Sequence, residues 1–290
     1  MIISRITSGL GNQLFQYATA RQLALKNNTG LYLDLSYYRY QYETDTPRSF
    51  KLDQFSIPYR ELQDSLFQYL SKATKLLPNR SLPPLCLFLK EKHFHFNENV
   101  VQAHASCITL DGFWQSERYF KESADTIRRE LTLTKTPSAE FKRYEELIRT
   151  TPTPVSIHIR RGDYVNHPEF SKTFGFVGID YYTEALRQLA AAVTNPLLYV
   201  FSDDKEWVRQ HLPLPDSAVY VENTGLNSDV ADLVLMSQCH HHIIANSSFS
   251  WWGAWLNPKA DKLVITPKQW YKNQPTWNTK DLLPPTWLAI

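Results

Sequence analysis

The chain has 290 residues, 43% apolar and 21% charged, and its 31 lysines and arginines against 29 aspartates and glutamates leave a formal net charge of +2. That length predicts two domains, each able to bury a core without staples, and so balanced a charge, with no basic run, argues against a nucleic-acid binder. Three widely spaced cysteines, Cys86, Cys107 and Cys239, make no disulfide framework and predict free thiols in a reducing compartment.

The opening Met1 to Gln13 has neither a long apolar core nor a small-residue cleavage site, so no signal peptide is expected. Residues 2–6 form a short apolar run, Gly9 and Gly11 break it, and Asn12 to Lys26 carries Leu14, Phe15, Ala18, Leu23 and Leu25 at helical spacing. A strand at Leu31 to Leu35 completes a β-α-β opening. From about 40 to 150 the patterns are weaker: helices around Leu62 to Leu76 and Tyr119 to Leu131, and a strand around Ile108 to Phe113. Thr150-Thr151-Pro152-Thr153-Pro154 reads as an extended linker, because each proline restricts itself and its predecessor. The domains are therefore expected at 1–150 and 151–290.

After the linker, strands at Val155 to Ile159, Leu197 to Phe201, Val219 to Val221, His242 to Ala245 and Lys262 to Ile265 alternate with helices. Those helices run from Asp180 to Ala192, Lys205 to Leu212, Asp229 to Cys239 and Phe249 to Leu256. This alternation predicts a doubly wound parallel sheet with ligands at the carboxyl ends of its strands. The longest uncharged stretch, Leu233 to Pro258, contains three histidines and Asn246-Ser247-Ser248, which argues against a membrane span. A cytoplasmic protein is expected, with peripheral membrane contact left open.

Four features sit where ligands should be. The strand Val155 to Ile159 runs straight into Arg160-Arg161-Gly162-Asp163; an arginine there can grip a phosphate through two hydrogen bonds and stays charged, and the competing reading is an ion pair to Asp163. Asn246-Ser247-Ser248-Phe249 lies between a strand and a helix, where free N–H groups and serine hydroxyls attract an anion, or where Asn246 or Ser247 simply caps the helix. Ser202-Asp203-Asp204 follows a strand and offers carboxylates to a metal or a sugar, or a cap for the next helix. Asp229 and Asp232 share a helix face, and one of them can accept from a guanine edge. At the N-terminus, Gly9, Gly11, Asn12 and Gln13 make a glycine turn without the third glycine of a dinucleotide fingerprint, since Leu14 stands in its place. His240-His241-His242 beside Cys239 has poor metal-ligand spacing, as neighbours entering a strand point to opposite faces. No metal site is expected.

Taken together the motifs resemble the α-1,2-fucosyltransferases. The matching pieces are Gly9-Leu10-Gly11-Asn12-Gln13-Leu14-Phe15-Gln16-Tyr17-Ala18, Gly112-Phe113-Trp114-Gln115, His158-Ile159-Arg160-Arg161-Gly162-Asp163-Tyr164, Phe201-Ser202-Asp203-Asp204 and Asn246-Ser247-Ser248-Phe249-Ser250-Trp251-Trp252. They span the chain in the family's order. The resemblance implies an α/β fold of GT-B type, two Rossmann-like domains with parallel sheets facing a cleft. The C-terminal domain would hold GDP-fucose and the N-terminal one would help to hold a galactose-terminated acceptor, with inversion at the fucose carbon and no metal or other cofactor. Donor binding is expected from His158, Arg160, Arg161, Ser202, Asp203, Asp232, Asn246, Ser247, Ser248 and Phe249, and acceptor-side contacts from Gly11, Asn12, Gln13 and Trp114. Arg160 would steady the departing phosphate. The base that takes the acceptor's proton is expected to be Asp163, or else Glu169 in the loop after Pro168, with His167 a third candidate; Asp163 has the competing role of orienting an arginine. Other readings are a transferase for a different nucleotide sugar, a glycan-binding protein that stacks tryptophans on sugars, and a nicotinamide oxidoreductase, which the incomplete glycine fingerprint disfavours.

Overall fold

A computed structural model describes residues 1–39, 47–63, 79, 81–135, 137–272 and 279–290. The chain divides into two compact units, Met1–Lys135 and Thr136–Ile290.

The first unit is a five-stranded parallel sheet in the order β3-β2-β1-β5-β4, with β1 Ile2–Arg5, β2 Leu31–Asp34, β3 Arg60–Glu61, β4 Cys86–Lys90 and β5 Cys107–Asp111. The Leu10–Lys26 helix crosses from β1 to β2. Thirteen of its 17 residues are buried, because the sheet covers one side and the Ala124–Glu130 helix ties down the other. Across that second contact Arg21 forks onto Glu130, with Nη2–Oε1 at 2.6 Å, and the Tyr17 hydroxyl donates to the same carboxylate. The helix begins two residues before the expected Asn12, so Gly11 lies inside its first turn and only Gly9 caps it.

The second unit is a six-stranded parallel sheet in the order β11-β10-β9-β6-β7-β8: β6 Pro154–Ile159, β7 Leu197–Ser202, β8 Val219–Tyr220, β9 His241–Ile243, β10 Val264–Thr266 and β11 Leu288–Ala289. All six residues of β6 are buried, as expected of a central parallel strand with helices on both faces. Val155, Ile157 and Ile159 pack on one face with Tyr182, Ala185 and Leu189 of the Ile179–Ala192 helix. Ser156 and His158 point to the other, where the Ser248–Leu256 helix lies.

Three expectations need amending. The Ala139–Thr150 helix, which the linker reading leaves in the first domain, belongs to the second unit. Its Phe141, Tyr144 and Ile148 face is buried, and the Tyr144 hydroxyl donates to Tyr220 O and accepts from Glu222 N. The Thr150–Pro154 connector is extended at Thr151, but it links two elements of one unit. Glu169 sits in the first turn of a short helix, Pro168–Thr173, not in a loop. Strands β4 and β11 had no periodic signal, being five and two residues long. Residues 64–76 of the helix expected at Leu62 to Leu76 lie outside the described residues.

Candidate active site

The carboxyl ends of β7, β6 and β9 bring the three C-terminal motifs side by side. The register Ile159↔Ser202 sets Arg160 next to Asp203, and Ile157↔Ile243, carried three residues on, sets Arg160 next to Asn246. Arg160 lies between two carboxylates, with Nη2 2.7 Å from Asp163 Oδ1 and Nη1 2.9 Å from Asp203 Oδ2. Burial works against its charge, and the carboxylates of Asp203 and Asp163 outweigh burial, so the guanidinium is held above its ordinary value. A guanidinium has five N–H donors; the two carboxylates engage Nη1 and Nη2 and fix its orientation.

Arg161 goes elsewhere, and strand alternation explains why. It continues the Ile157 and Ile159 face, where its Nε lies 3.0 Å from Asp204 Oδ2 and its guanidinium carbon 3.7 Å from the centre of the Trp207 ring. This is an ion pair plus a cation–π contact, so Arg161 is packed against Trp207 and Asp204 on the face opposite His158. Its backbone N–H donates to Asp203 Oδ1 at 2.9 Å, so Asp203 is gripped from two directions. Gly162 makes this possible: a Cβ there would lie 2.6 Å from Asp203 Oδ2. Ser202 and Asp204 serve the turn, since Asp204 N donates to Ser202 Oγ and Asp204 Oδ1 accepts from Trp207 N as the cap of the Lys205–His211 helix.

Beside Arg160 the Ser248–Leu256 helix begins. Ser247 caps it, its Oγ accepting from Phe249 N at 3.3 Å, and Ser248 is half-buried at the first helical position. The Phe249 ring packs against His158, centroids 5.4 Å apart. His158 is 4% exposed. Burial, and secondarily Arg160, push its imidazole down to about 3, so it is neutral and adds no positive charge beside Arg160. Asn246 is buried too, and its Nδ2 donates to Phe174 O, Gly175 O and Trp270 O. Its side chain organises the loops around the site, while its own carbonyl accepts from the Tyr164 hydroxyl.

Asp163 Oδ1 accepts from Arg160 Nη2, the contact that an orienting role requires. Glu169 is exposed, and no described contact brings it to the Arg160 cluster; His167 Nδ1 accepts from Glu169 N. Asp232, on the Ser228–Gln238 helix, accepts from Asn223 Nδ2 at 2.6 Å. Burial raises its carboxyl to about 6. Asn223, whose Oδ1 is buried without a partner, had no sequence signal of its own.

The histidine run has structural partners. His242 Nδ1 meets Ser156 Oγ at 2.8 Å and its Nε2 accepts from Asn257 Nδ2; His241 Nδ1 accepts from Leu263 N, and His240 Nε2 lies 3.0 Å from Asp261 Oδ2. Among the described residues no group of three histidine, cysteine or acidic side chains is placed to hold a metal, and no helix is long and apolar enough to cross a membrane.

In the first unit, Gln13 and Gln16 act as rivets. Gln13 Nε2 donates to Ser8 O and Ser49 O while its Oε1 accepts from Lys51 N; Gln16 Nε2 donates to Thr7 Oγ1 and Gly112 O. Asn12 Oδ1 accepts from Gln115 Nε2 at 2.8 Å. Trp114, expected to touch an acceptor, is 2% exposed and edge-packed on Tyr119. Its indole belongs to the core.

The whole chain, residues 1–290, matches glycosyl transferase family 11. The chain belongs to that family. It is 33% identical over 301 residues to an Escherichia coli alpha-1,2-colitosyltransferase, covering 100% of this chain and 99% of the relative. It is 26% identical over 302 residues to a Caenorhabditis elegans galactoside 2-alpha-L-fucosyltransferase, covering 97% and 77%. Among solved structures, NodZ alpha-1,6-fucosyltransferase soaked with GDP-fucose is similar in fold, with a TM-score of 0.50 at 17% identity over 89% of this chain and 92% of that one. Family 11 glycosyl transfer and a GT-B-type fold with two parallel-sheet α/β domains follow.

Proposed function

We propose that this family 11 enzyme transfers L-fucose from GDP-fucose to the 2-hydroxyl of a terminal galactose, with inversion and without a metal ion. The observation that carries the donor side is the junction of β7, β6 and β9, where Arg160 is held in fixed orientation beside the first turn of the Ser248–Leu256 helix. Departure of a nucleoside diphosphate builds negative charge on the β-phosphate. A fixed guanidinium and helix-end N–H groups stabilise that charge more in the transition state than in the ground state. Arg160 is the catalytic group in this reading; Asp163 and Asp203 aim it, and Asp232 with Asn223 receives the guanine edge. The acceptor's 2-hydroxyl oxygen bonds to the fucose anomeric carbon from the face opposite GDP as the bond to the β-phosphate oxygen breaks; the electron pair leaves on GDP, and the hydroxyl proton passes to solvent.

A second reading, colitose as the sugar transferred, is favoured by the 33% identity to the colitosyltransferase. Calorimetry tests the shared part: GDP binds more tightly than GMP if the β-phosphate is the main contact, and equal affinities remove it. Competition between GDP-fucose and the corresponding colitose donor at equal concentration then decides which sugar is used.

A further inference from the structure

At the carboxyl edge of the first sheet two non-glycine residues adopt left-handed backbone, Ser8 after β1 (φ 66°) and Trp114 after β5 (φ 58°). Such residues carry strain and persist only where their surroundings hold them, most often at binding sites. The holding group at Trp114 is Glu91, the residue after β4. Its Oε2 accepts from Phe113 N at 2.7 Å and its Oε1 from Trp114 N at 3.1 Å. Gly112 allows that approach, since a Cβ there would lie 2.4 Å from the Glu91 Cβ. Burial raises the Glu91 carboxyl above its ordinary value, against the pull of the two amides. A half-buried carboxylate that accepts two successive backbone N–H groups serves that turn's geometry.

The turn delivers Gln115. Its amide nitrogen donates to the Asn12 carbonyl oxygen, and the opposite ends of the two side chains, an Asn12 N–H and a Gln115 carbonyl, match a sugar hydroxyl, which donates and accepts at once. The Ser8 hydroxyl and the partly exposed Arg5–Asp111 pair, 3.6 Å apart, lie at the same edge, where parallel sheets receive ligands.

We propose that Glu91 is a positioning residue of an acceptor-sugar site at the carboxyl ends of β1, β5 and β4, fixing the Gly112 to Gln115 turn so that Asn12 and Gln115 meet a neutral sugar. The proposal rests on the glycosyltransferase reading and is independent of which sugar is donated.

The test uses the full chain, with Glu91→Gln, which loses one of the two amide contacts, and the milder Gln115→Ala at a half-buried position. Rates are measured at saturating GDP-fucose with lactose varied, GDP affinity is measured by calorimetry, and amide hydrogen exchange is followed at residues 112–116. In Glu91→Gln, exchange quickens there and acceptor kcat/KM falls on the order of 10²-fold, the effect of misplacing a substrate by about 1 Å, with the rise in acceptor KM dominant. GDP affinity stays unchanged, because the donor residues belong to the other unit; the change in exchange confined to residues 112–116 separates a repositioned turn from a general defect of the first unit. Gln115→Ala shows the same split in smaller measure. Wild-type acceptor KM in Gln115→Ala, or a parallel loss of GDP affinity in a folded Glu91→Gln, overturns the proposal. Failure of the wild type to use GDP-fucose and lactose counts against the proposed substrates instead, and the comparison is then read with the sugar nucleotide and acceptor that do turn over.

Discussion

Gly162→Ala separates local propensity from site geometry, because the two predict opposite signs. Gly162 opens a helix and its φ is not positive, so alanine alone would stabilise by up to about 1 kcal/mol. The new Cβ, however, would stand 2.6 Å from Asp203 Oδ2, well inside an ordinary contact of about 3.5 Å. The carboxylate must retreat, and it carries the 2.9 Å bond from Arg161 N and the 2.9 Å pair with Arg160. A hydrogen bond to a charged group contributes roughly 1.5–3 kcal/mol. With both side chains 26% exposed that is discounted for screening, leaving a net loss of about 1–2 kcal/mol. The melting temperature therefore drops by several degrees, and GDP binds more weakly because Arg160 loses one of its two anchors. Thermal unfolding and GDP calorimetry read both effects. A variant that is more stable than wild type and binds GDP equally well refutes the claim that Asp203 aims Arg160.

Four further outcomes follow from the same geometry. Arg160→Lys keeps the charge and loses the fork, so turnover falls by roughly 10²-fold or more, and near-normal turnover removes Arg160 from the transition state. Asp163→Asn weakens GDP binding as well as turnover, because Asp163 Oδ1 holds Arg160 Nη2; unchanged GDP affinity with turnover lost by about 10²-fold would restore Asp163 as the base. GDP affinity falls as pH drops through about 6, where the buried Asp232 carboxyl gains a proton and loses an acceptor for the guanine edge. Asp232→Asn flattens that profile, and a profile unaltered by the substitution takes Asp232 out of the guanine site. Turnover survives saturating EDTA, since arginine and helix-end donors answer the leaving charge; loss with EDTA and recovery with manganese would assign Asp203 and Asp204 to a metal.

Much of the second unit was legible in the sequence. Leu197 to Phe201 is a continuous apolar run and Val155 to Ile159 alternates apolar residues with Ser156 and His158; each ends in a polar motif, and the register gathers the two at one edge. Alternation along β6 even separates Arg160 from Arg161, although adjacency in the sequence suggests a shared role. The boundary was misplaced because the proline-rich connector signals extended backbone and not a gap between cores: what decides membership of the Ala139–Thr150 helix is the burial of Phe141, Tyr144 and Ile148. Trp114 shows the opposite failure. Its motif was visible, but whether an indole stacks on a ligand or fills a core depends on how the chain folds back onto Tyr119 and on the Glu91 clamp, 23 residues away. Glu91 had no signal at all, since a single glutamate after a short strand looks like a surface residue until burial is known. His158 was readable as a motif member and not as a neutral group, because its proton affinity is set by burial.

The proposed activity is tested by incubating the purified chain with GDP-fucose and lactose and determining the mass and linkage of the product. The expected product is lactose heavier by one fucosyl residue, joined in α linkage to the 2-hydroxyl of galactose, with GDP released in equal amount. A fucosylated product linked at any other position, or no transfer while a different nucleotide sugar is consumed, contradicts that activity.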